Sequence, residues 1–77
     1  MSQELIPLEK RVVHVRFEGQ SQDIAFGVLD IGDLSNDQDM KRALALYFNT
    51  PEPKFASYVI ERHVNGNITV RPEAVFG

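Results

Sequence analysis

The chain predicts an α+β domain of ββαββ order: a four-stranded, mainly antiparallel sheet with one helix on one face. Three observations carry that expectation. Residues 12–18 alternate apolar and polar side chains, the period of a half-buried strand; residues 35–49 repeat apolar side chains at helical spacing; residues 58–64 and 68–72 form a second pair of strand-like runs around Asn65-Gly66. With 77 residues there is room for one domain, and no Cys is present to staple it or to supply a thiolate metal site. Residues 1–11 have no clear period and contain Pro7, so they read as a loosely ordered arm, with 12–77 as the folded unit.

In the first hairpin Val13, Val15 and Phe17 share one face, and His14, Arg16 and Glu18 the other. Gly19-Gln20-Ser21-Gln22 reads as a polar turn. Ile24, Phe26 and Val28 then resume the apolar face, opposite Phe17, Val15 and Val13 respectively. Gly27 in mid-strand suggests a bulge or a close backbone approach.

The helix is punctuated at both ends. Ser35 followed by Gln38 fits a capping box, and Asp37 and Asp39 put negative charge on the first turn, where the helix dipole favours it. Met40, Ala43, Leu44, Tyr47 and Phe48 form the inward stripe, and Asn49-Thr50-Pro51 ends the helix. A stiff loop at Pro51-Glu52-Pro53 leads through a short turn to the second hairpin. Register argues for a three-residue loop there. It gathers Ile60, Ile68 and Val70 on one face and leaves Gly66 for a left-handed position, with Arg62 at the edge of the apolar face. Pro72 cannot donate to a ladder and ends the last strand.

This order of elements is similar to the β-grasp fold of ubiquitin-like proteins over most of residues 12–76. The resemblance rests on element order, and no motif transfers a functional residue. In such modifiers and sulfur carriers a tail ending in Gly-Gly is activated at its terminal carboxylate. Here a single Gly77 follows Phe76, so a carrier acting through the Gly77 carboxylate stands as the alternative function.

Composition narrows the function classes. A net charge of −3 and the lack of aromatics interleaved with basic residues argue against nucleic acid as a partner. No apolar run approaches a membrane span, and the start lacks the pattern of a signal peptide, so a cytoplasmic location without membrane association is expected. Asn67-Ile68-Thr69 matches a glycosylation acceptor, read as coincidence in that context. No phosphate-binding glycine loop or nucleophile elbow is present. Asp30, Asp33, Asp37 and Asp39 lack the spacing of a calcium loop, and capping and turn formation account for them.

The remaining candidate surface is the open sheet face. Parity gathers His14, Arg16, Glu61, His63 and Arg71 there, with Val59 and Thr69, and suggests a cross-strand Glu61–Arg71 pair. Guanidinium groups recognise carboxylates and phosphates, so this face is the expected binding site. The two histidines and Glu61 lack metal-ligand spacing; no metal, cofactor or catalytic residue is assigned, and the chain is expected not to be an enzyme. The expectation is a small protein–protein interaction or adaptor domain whose partner is another protein, with weak homodimerisation through a sheet edge consistent with the same physics.

Overall fold

The computed structural model describes residues 5–73. Four strands, β1 (Val12–Phe17), β2 (Gln20–Ala25), β3 (Tyr58–Arg62) and β4 (Ile68–Pro72), form one mixed sheet in the order β2-β1-β4-β3. Each hairpin is antiparallel, and the two hairpins join through a parallel β1–β4 pair at the centre. The described residues also form two α-helices: a single turn, α1 (Phe26–Leu29), and the main helix, α2 (Asp37–Tyr47).

Val13, Val15, Ile24, Ile68 and Val70 from the strands meet Phe26, Leu29, Met40, Leu44, Ala45 and Phe55, all buried, in one core on the α2 side of the sheet. Phe17 is half-buried and stacks on Phe48 (ring centroids 4.6 Å) and Phe55 (5.1 Å). The helix stripe is shifted from the expected one: Met40 and Leu44 are buried, Ala43 and Phe48 lie at the core margin, Tyr47 is exposed, and Ala45, outside the expected stripe, is buried.

The first hairpin departs from expectation. Its turn is the two residues Glu18-Gly19, both at positive φ (52° and 80°), as a type I′ turn requires. Val13 therefore faces Ile24, Val15 faces Gln22 and Phe17 faces Gln20. The apolar alternation concealed this because Gln20 and Gln22 lie on the core side but beyond its edge, where they remain exposed. The pairing moves by an even number of positions, so every β1 residue keeps its expected face.

The strand also ends early. The Phe26 N–H still donates to the Arg11 carbonyl at 3.1 Å, and then the chain turns into α1. Phe26 and Leu29, three apart, become the inward pair, and Asp30 closes the turn in the left-handed region (φ 56°). Val28 points to solvent instead of facing Val13, and Gly27 makes neither a bulge nor a close approach: a Cβ there would meet nothing within 4 Å.

The capping box sits one residue later than Ser35. Asn36 Oδ1 accepts from the Asp39 N–H at 2.8 Å, and Asp39 Oδ2 accepts from the Asn36 N–H at 3.2 Å. Ser35 is occupied elsewhere, its hydroxyl accepting from the Gly32 N–H at 2.9 Å. At the far end Asn49 is left-handed (φ 51°), and Thr50 N–H to Ala45 and Asn49 N–H to Leu46 make the two bonds of a Schellman motif. The short turn expected after the proline loop is a 3₁₀ helix, Glu52–Phe55.

The second hairpin has the expected register. Ile60 faces Val70, and His63 N–H donates to Asn67 at 2.9 Å across a three-residue loop with Gly66 left-handed (φ 101°). Arg62 lies on the α2 side and reaches Asp37 at 2.7 Å. Ahead of β1, Leu8–Lys10 forms a 3₁₀ turn, and the Ile6 N–H donates to Asn65 at 2.7 Å. Among the described residues no helix is long and apolar enough to cross a membrane.

Candidate functional site

The face of the sheet opposite α2 carries the expected residues. Strand alternation sends His14 and Arg16 outward from β1, Ser21 and Asp23 from β2, Val59 and Glu61 from β3, and Thr69 and Arg71 from β4. Asp23, His14, Thr69 and Glu61 form one row across all four strands. Ser21 faces Arg16, and Arg71 faces Val59; Arg16 and Arg71 both lie one residue beyond the Val15–Val70 pair on their parallel strands.

Most of these side chains are paired. Glu61 Oε1 accepts from Arg71 Nε at 2.5 Å, the diagonal pair expected from the hairpin register. His14 Nδ1 lies 2.6 Å from Asp23 Oδ1. His63 Nε2 lies 2.7 Å from Thr69 Oγ1, held there as its backbone closes the loop of the second hairpin. Each histidine thus has its own partner, Asp23 for His14 and Thr69 for His63. Among the described residues no three His, Cys, Asp or Glu side chains come together as a metal site.

Arg16 differs from its neighbours. It is exposed and is in no ion pair among the described residues. With Arg71 it lines a shallow cleft completed by Gly19, Pro72 and Glu73. No Phe or Tyr of the four strands faces this side, so a platform for base stacking is missing from them.

The acidic stretch, by contrast, is absorbed by the fold. Asp30 closes α1, Asp39 completes the capping box, Asp33 pairs with Arg11, and Asp37 pairs with Arg62. The Gly77 of the carrier alternative lies outside the described residues.

Two features of the face were not read from the sequence. Asp23 as the partner of His14 depends on the two-residue turn, and recognising Glu18-Gly19 as a type I′ pair would have revealed it. The neighbourhood of Arg16 and Arg71 depends on β1 lying beside β4, which no local pattern encodes. No protein-family model, curated protein or solved structure matches the chain.

Proposed function

We propose that this chain is a non-enzymatic interaction or adaptor domain that engages another protein through the open face of its sheet. The supporting observation is the contrast between the two sides. On the α2 side the carboxylates of the acidic stretch have structural roles, whereas the opposite side presents His14, Arg16, Glu61 and Arg71 on three strands, with His63 just past the end of β3, and no described element covers them. A polar face of mixed charge on a fixed scaffold favours specificity of docking over strength.

The test is affinity capture from lysate on the immobilised domain, followed by amide shift mapping with the recovered protein. The expected shifts fall on β1, β3 and β4 at the open-face positions, with Arg42 and Leu46 of α2 unmoved. Capture should be lost in the His14→Ala/Glu61→Ala double variant and retained in Arg42→Ala. Shifts confined to α2, or capture indifferent to the double variant, would reject the reading.

A further inference from the structure

We propose that the Arg16–Arg71 cleft is a carboxylate site that receives an acidic segment of the partner protein. This deepens the interaction reading and rests on it. Arg16 and Arg71 lie one residue beyond the Val15–Val70 pair on adjacent parallel strands and line the same cleft, so an anion bound there would meet both guanidinium groups. Glu61 holds Arg71 from the β3 side, and Asp23 is taken by His14, so no acid of the neighbouring strands is left for Arg16. Glu18, at the end of β1, lies 3.4 Å from Lys54. Glu73 is the one acid lining the cleft, and among the described residues it bonds to neither arginine.

The planar fork of Arg suits bidentate pairing with a carboxylate; Arg16 has no ion-pair partner among the described residues, and Arg71, lining the same cleft, bonds Glu61 through Nε. A polyphosphate backbone is disfavoured by the net charge of −3, which repels a long polyanion at every point away from this cleft. An acidic peptide, whose charge is local, meets that repulsion only weakly at physiological salt.

The probe is an acetylated, amidated tetraglutamate peptide titrated into the full chain at low salt, followed through the Arg Nε and backbone amide signals. Saturable shifts at Arg16, Arg71 and Gly19 are expected, absent with tetraglutamine. Arg16→Gln should weaken binding by up to about fivefold, since an exposed charge pair contributes up to about 1 kcal/mol. Arg16 is exposed, so the variant keeps its fold, which the unchanged core amide signals verify. A titration that does not saturate, an equal response to tetraglutamine, or an unchanged midpoint in Arg16→Gln overturns the site. A partner whose capture is lost in His14→Ala/Glu61→Ala but unaffected by Arg16→Gln overturns this site alone and leaves the interaction reading standing.

Discussion

Gly66 lies directly against the Arg11 side chain: a Cβ at Gly66 would come within 2.5 Å of Arg11 Nε and 2.9 Å of its Cδ. Arg11 cannot easily give way. It is 6% exposed, its Nε donates to the Ile6 carbonyl at 2.7 Å, and its Nη1 is ion-paired with Asp33. One side chain thus ties the N-terminal segment, the loop after α1 and the turn of the second hairpin together. Gly66→Ala adds both this overlap and a residue at φ 101°, so it should cost roughly 2 kcal/mol in urea unfolding. Gly32→Ala, with open space around it, should cost less than about 0.5 kcal/mol.

Moving the helix cap by one residue has a direct consequence. Asn36→Ala removes the acceptor for the Asp39 N–H and should lower stability by about 1 kcal/mol. Ser35→Ala removes one bond to Gly32 in the preceding loop and should cost less. Chemical denaturation of both variants checks the order; the reverse order would place the cap at Ser35.

Phe55 is wholly buried from a 3₁₀ turn of four residues, in contact with Phe17 and edge-on to Tyr58 at 4.8 Å. Phe55→Ala should cost about 3–5 kcal/mol, a large share of what a domain of this size possesses. Phe55→Leu keeps most of the volume and should cost under about 1.5 kcal/mol. Thermal unfolding by circular dichroism separates the two.

Burial raises the Tyr58 phenol above its ordinary 10.0; neighbouring Glu18 adds to the rise, and Lys54 offsets part of it. The folded state therefore holds this proton more tightly than the unfolded chain. That contribution is fully present below pH 10 and is lost as pH rises through the folded value. Tyrosinate absorbance should show a component titrating late, missing in Tyr58→Phe, and that variant should lose less stability at alkaline pH than the parent.

The elements that local chemistry encodes were legible in the residues themselves. Met40 and Leu44 follow helical spacing, Asn49 tolerates the left-handed cap, and Gly66 with Ile60, Ile68 and Val70 dictates the register of the second hairpin. Alternation alone put His14, Arg16, Glu61 and Arg71 on one side of the sheet, because a side chain's face depends only on parity. Where alternation continued past its strand, to Val28, it misled: once the chain turns, Phe26 and Leu29, three residues apart, are the inward pair. Phe55 was also illegible, since a lone aromatic in a proline-rich loop has no period by which to signal burial. Strand order was decided by tertiary structure. Placing β4 beside β1 buries Val13, Val15, Ile68 and Val70 together under α2, and this long-range gain sets Arg16 next to Arg71 on the other side.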